Sequence, residues 1–197
     1  FKPSTGHRFD ALHVIFSNGL LGSETMLFMK ESEEHVGAYF AHFRECAERV
    51  CWQSPGTTQP QTVFSLAKEK SSSVTLKAGA SELIASYAVF RQWTLETSLD
   101  KPAMQASLRS LLLLLDVVDL VLKAATRRLQ DQDVDAIASR LDTAAFAYLE
   151  AFANAHGREA TRHTHHELAA HLSDQLRKDR RLPWCVTAER KHIVAKN

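Results

Sequence analysis

Cysteine is scarce in this sequence, and the few present build nothing together. Cys46, Cys51 and Cys185 are odd in number and lack CxxC spacing. That argues against a disulfide framework and a zinc knuckle, and makes a reducing compartment the expected setting. Long apolar runs are missing as well. The stretch Leu111–Leu115 and on to Leu122 is interrupted by Asp116 and Asp119 and preceded by Arg109, so it is too short and too charged to span a bilayer. No signal-peptide pattern opens the sequence as given. There is no GxSxG elbow, no phosphate-cradling glycine loop and no HExxH pair. Cys185 and His192 lack a third group to orient them as a nucleophile pair. No βαβ alternation, internal repeat or sustained heptad organises the chain.

What is present suits one globular domain: 197 residues, 45% hydrophobic and 24% charged. The chain opens on Phe1, and Asp10 arrives before any complete folding unit. The expectation is therefore an internal piece of a longer protein. The net charge of +1 hides a gradient, with nine Lys/Arg against five Asp/Glu in residues 158–197 and an acidic excess before them. Such a tilt is compatible with a phosphate-facing C-terminal end.

The periodicity is helical almost throughout, and the fold class expected is all-α, an irregular multi-helix bundle. Phe9–Phe16 can close a strand or open a helix, and Asn18-Gly19 and Gly22 let the chain bend. From about Ser23 the spacing of Val36, Phe40, Phe43, Ala47 and Val50 predicts helix to about Trp52, stopped by Ser54-Pro55-Gly56. Residues 54–76, rich in Gln, Thr and Ser, read as a flexible loop. A helix capped by Ser81 follows, with Leu83, Tyr87, Phe90 and Thr94 on one face. Asp100-Lys101-Pro102 signals the start of another, running to about Leu129. A third begins at Asp131 or Asp133, buries Ile137, Leu141, Ala145, Tyr148 and Phe152, and ends at His156-Gly157. A short helix over His165–Lys178 and a last one capped by Thr187 complete the pattern.

Few residues can carry chemistry. Asp10 and His13 form a D-x-x-H tetrapeptide. A carboxylate placed at such a bend is a sensible Mg²⁺ ligand, since that ion is hard and oxygen-seeking. The alternative is an N-cap aspartate with a histidine on the helix surface. Glu189, two residues past Thr187, is either a first-turn acid favoured by the helix dipole or a metal ligand. Arg190, Lys191 and Lys196 are placed to face a phosphate backbone. His163, His165, His166 and His171 are dense enough for zinc in principle. They lack a finger spacing, and His166 and His171 stand five apart, off one α-helical face. Asp116 and Asp119 could sit side by side, but mark the solvent edge of their helix more simply.

Asp10-Ala11-Leu12-His13 with Asn18-Gly19-Leu20 resembles the D-x-x-H segment of CACTA-type (En/Spm and Plavaka-like) cut-and-paste DNA transposases. His165-His166-Glu167 through His171-Leu172, Gln175-Leu176-Arg177 and Trp184-Cys185 through Glu189-Arg190-Lys191-His192 are similar to the family's closing block. The resemblance covers mainly residues 8–21 and 163–196; between them it extends only to helical character. It implies an RNase H-like core interrupted by a helical insertion, and Mg²⁺-dependent DNA cleavage and strand transfer in the intact protein. Residues 1–22 would be a remnant of the catalytic core, 23–182 the insertion and 183–197 the closing catalytic helix. Asp10 and Glu189 would be catalytic, metal-binding carboxylates and His13 the motif partner of Asp10. Asp10 could instead be a neighbouring motif acid. The first catalytic Asp and the core strands are missing, so the chain alone should be inactive. The implied partner is DNA, the transposon ends, in a nuclear or otherwise intracellular setting, with a homo-oligomer left open. A non-catalytic helical interaction or DNA-binding domain is the competing expectation.

Overall fold

Asp10 opens the first helix by spending its own side chain. Its Oδ1 accepts from the Leu12 N–H at 3.0 Å, which satisfies a backbone donor that the first helical turn leaves without an intrahelical partner. The helix that follows, α1 (Ala11–Ile15), buries Ala11, Leu12, Val14 and Ile15. Of the strand and the helix open to Phe9–Phe16, the helix forms over Ala11–Ile15. The computed structural model describes residues 10–17, 19–36, 39–48, 76, 78–98, 101–126 and 131–182. All elements among these are helical.

Gly19 turns α1 into α2 (Leu20–Val36). A Cβ there would overlap the carbonyl oxygens of His13 and Val14, so only glycine lets the two helices approach this closely. The Gly19 carbonyl accepts from both the N–H and the hydroxyl of Ser23. For that reason α2 starts three residues before the expected Ser23. Within the stretch expected to be helical to Trp52, α3 spans Tyr39–Glu48, and Phe43 and Ala47 are buried as the periodicity requires. Phe43 meets Phe90 and Trp93 edge-on, with ring centroids 5.8 and 5.0 Å apart. Edge-to-face pairs of this kind add about 0.5–1.5 kcal/mol beyond area burial.

Helix α4 (Ala80–Ser98) presents Leu83, Tyr87, Phe90 and Thr94 to the core, the face read from the sequence. Its cap differs from expectation. Ser81 lies inside the helix, and Glu82 Oε2 instead reaches back to accept from the Gly79 N–H at 2.6 Å. That is the carboxylate half of a capping box. Pro102 opens a short 3₁₀ turn (Pro102–Met104) ahead of α5 (Gln105–Thr126). Helix α6 (Asp131–His156) is the longest described, at 26 residues or about 39 Å.

The body of the fold is α5 against α6. Leu108, Leu111, Leu114, Leu115, Val118 and Val121 of α5 are buried, as are Ile137, Leu141, Ala145, Tyr148 and Phe152 of α6. Gly157, at φ 83°, ends α6 in a conformation that favours glycine. The chain then turns back through a 3₁₀ turn (Arg158–Ala160) into α7 (His163–Glu167), a π-turn (Leu168–Leu172) and α8 (Ser173–Asp179). Arg177 and Arg180 tie this last stretch to Asp142 and Asp135 of α6. No helix among the described residues is long and apolar enough to cross a membrane. The proposed loop at 54–76 (apart from Leu76), the cap Asp100, the end at Leu129 and the closing helix at 183–197 lie outside the described residues, as do residues 1–9 of the proposed core remnant.

Candidate functional site

The D-x-x-H segment closes on itself. Asp10 Oδ2 lies 2.7 Å from His13 Nδ1, while Oδ1 caps Leu12. The Asp10 side chain is 18% exposed and the His13 ring 57%, so the pair sits at the surface with both carboxylate oxygens already engaged. An oxygen that holds one hydrogen bond keeps a second lone pair. The donor chemistry therefore suits Mg²⁺, but Asp10 is a single ligand here. Glu189, Arg190, Lys191 and Lys196 lie outside the described residues, and so does any approach of Glu189 to Asp10. Among the described residues no three or more His, Cys, Asp and Glu side chains converge to hold a metal.

The most heavily built polar constellation lies inside the bundle and was not anticipated from sequence. Glu24 of α2 is 1% exposed. Its Oε1 accepts from the Ser110 hydroxyl of α5 at 2.5 Å, and its Oε2 from the Tyr148 hydroxyl of α6 at 3.2 Å. His156 Nε2, also from α6, stands 3.5 Å from Oε1 without hydrogen-bond geometry. Tyr148 stacks on His165 of α7, with centroids 5.8 Å apart and 12° between planes. His165 Nδ1 accepts the Arg162 backbone N–H at 2.9 Å. That assigns the ring proton to Nε2, which faces the Tyr148 hydroxyl at 3.3 Å. The Arg162 guanidinium in turn donates to Ser23 Oγ at 2.7 Å, one residue before Glu24.

A directed chain therefore runs from the Arg162 amide through His165 and Tyr148 to Glu24. Burial pushes the Tyr148 phenol well above its usual pKa, and the neighbouring Glu24 carboxylate pushes it further. Burial lowers the His165 imidazole to about 4, with Arg162 and His156 adding positive charge nearby. Both rings are thus held neutral. The constellation joins α2, α5, α6 and α7 at one point, and its chemistry is that of a lock. A second carboxylate–hydroxyl pair, Glu31 with Ser107, joins α2 to α5 two turns further along α2.

The other candidates sort by location. Of the histidine group, His165 points inward while His163 and His166 are exposed and His171 is half-buried, so the four do not share one site. Asp116 and Asp119 are about half exposed, as expected for a solvent edge. They also form a clamp: Arg91 of α4 bridges both at 2.8 and 3.4 Å. The Tyr87 hydroxyl donates to Asp119 at 2.6 Å, and burial raises its pKa far above normal. The basic excess after residue 158 is partly engaged within the chain, because Arg162, Arg177 and Arg180 donate to Ser23, Asp142 and Asp135. An open groove of about 240 Å³ lies between α5 and α6, lined by small and polar residues such as Ala106, Arg109, Ala147 and Glu150.

The sequence matches no family model, and neither curated proteins nor solved structures yield a match to it.

Proposed function

We propose that this chain is the helical insertion and flanking motif segments of a DDE-type DNA transposase of the CACTA kind. The observation that carries the reading is the direct pairing of Asp10 with His13 at 2.7 Å. It makes the D-x-x-H tetrapeptide a physical unit, a surface carboxylate oriented by an imidazole, of the kind that positions metal ligands. The described elements after it are all helical, which supports an insertion placed between two motif segments. In this reading Asp10 and Glu189 would hold Mg²⁺ in the intact protein, and DNA is the substrate. Bound there, Mg²⁺ supplies charge stabilisation for attack on phosphorus. His13 holds the Asp10 carboxylate in place, and Arg190, Lys191 and Lys196 would meet the phosphate backbone. Such a protein would work in the nucleus.

The test is DNA cleavage by the full-length protein. Asp10→Ala and Glu189→Ala should each abolish Mg²⁺-dependent strand cleavage while DNA binding survives. Cleavage that persists in both variants overturns the assignment.

A second reading is favoured by a specific observation: both Asp10 oxygens, and the guanidinium groups of Arg177 and Arg180, are already paired with other groups of the chain. In this reading the bundle is a non-catalytic interaction domain, and Asp10 is a cap. It expects no metal-dependent cleavage by the full-length protein under any condition.

A further inference from the structure

We propose that His166 and His171 form a two-imidazole site for a divalent transition-metal ion, created by the π-turn between them. In an α-helix, five residues at about 100° each leave two side chains about 140° apart round the axis. Residues Leu168–Leu172 are instead wound as a π-turn, whose i→i+5 hydrogen bonding brings residues five apart into line. The rings of His166 and His171 consequently meet, with centroids 5.1 Å apart and planes at 89°. Two imidazoles bound to one ion at about 2.0–2.1 Å hold their centroids about 5 Å apart. The observed spacing fits that requirement.

Three further features point the same way. Single π-turns inside helices gather at functional sites, because the irregular winding is otherwise unfavourable. His166 is exposed and His171 half-buried, so solvent can reach the pair and complete the coordination. The His163 ring lies near His166 at a shallow angle, with centroids 6.2 Å apart and 27° between planes, and its Nε2 is 3.3 Å from Glu167 Oε1. Imidazole donors select zinc, copper and nickel over magnesium, so this ion differs in class from the one proposed for Asp10. The inference stands independently of the transposase reading.

Bound metal would pin the π-turn. The stretch it pins carries His165 into the Glu24 lock on one side and Arg177 onto Asp142 on the other. The ion would thus act as a clamp on the C-terminal part of the bundle.

Copper(II) titration of the whole chain, followed by electron paramagnetic resonance, reads the ligands directly. The wild type should show one site with two nitrogen couplings. His166→Gln and His171→Gln should each weaken it by at least about tenfold and leave one nitrogen, whereas His163→Gln should leave two. Zinc should compete with copper and raise amide protection across residues 168–172. A two-nitrogen signal surviving in the His166→Gln/His171→Gln double variant would place the ion elsewhere and overturn the proposal. Unchanged amide protection with zinc bound would overturn the clamp.

Discussion

Glu24 and Tyr148 stand 124 positions apart in sequence and meet in the protein interior, carboxylate Oε2 to phenolic hydroxyl, at 3.2 Å. The contact fixes α2 against α6, and through His165 it draws α7 onto both. Tyr148→Phe removes the hydroxyl and leaves a buried carboxylate oxygen and the His165 Nε2–H without it. A loss of about 1–3 kcal/mol is expected, read as a lower urea midpoint at unchanged slope. Glu24→Gln should lose a comparable amount. In the double variant the two losses should fall short of additive by about 0.5–3 kcal/mol. Strict additivity would mean that the two side chains do not interact.

The His165 imidazole gives the fold a signed pH dependence. Its folded pKa, lowered to about 4 by burial, lies below the unfolded value near 6.5. Between those values the unfolded chain binds more protons. The contribution is therefore complete above about pH 6.5 and is lost as pH falls through about 4, amounting to about 3 kcal/mol at most. Urea midpoints measured from pH 7.5 to 4 should fall accordingly. The fall should be shallower in His165→Gln, and equal slopes in the two proteins would contradict the assignment.

Two glycines separate steric need from conformational need. Gly19→Ala drives a methyl into the carbonyl oxygens of His13 and Val14, backbone that cannot step aside, and should cost about 2–3 kcal/mol. Gly157→Ala meets only the flexible end of Glu159, but must hold a φ of 83° with ψ at 153°, which costs about 1–3 kcal/mol. Adding Glu159→Ala should therefore not rescue Gly157→Ala. Thermal unfolding of the three variants checks both statements.

What the sequence disclosed follows from the range of the interactions involved. The α4 face of Leu83, Tyr87, Phe90 and Thr94 and the α6 face from Ile137 to Phe152 were legible, because a buried stripe repeats at the helical period within one segment. Gly157 was legible as a helix stop for the same local reason. Glu24 was not. Ser23-Glu24-Thr25 reads as a polar break in an apolar helix, and its partners Ser110 and Tyr148 are 86 and 124 positions away. One signal was available: Tyr148 falls on an apolar face, and a buried tyrosine hydroxyl needs a partner. The alignment of His166 with His171 was hidden too, since five residues read as off-face until the π-turn is seen. Ser81 was misassigned as a cap because the Gly79 carbonyl already accepts from the Glu82 and Leu83 N–H groups, which opens the helix at Ala80 and leaves Ser81 in its first turn.

Asp10→Asn in the full-length protein puts the functional reading to its sharpest test, since asparagine caps a helix about as well as aspartate but lacks the charge that grips a magnesium ion. The account predicts an unchanged melting temperature with Mg²⁺-dependent DNA cleavage lost. Wild-type cleavage by the asparagine variant would contradict it and leave Asp10 as the cap of α1.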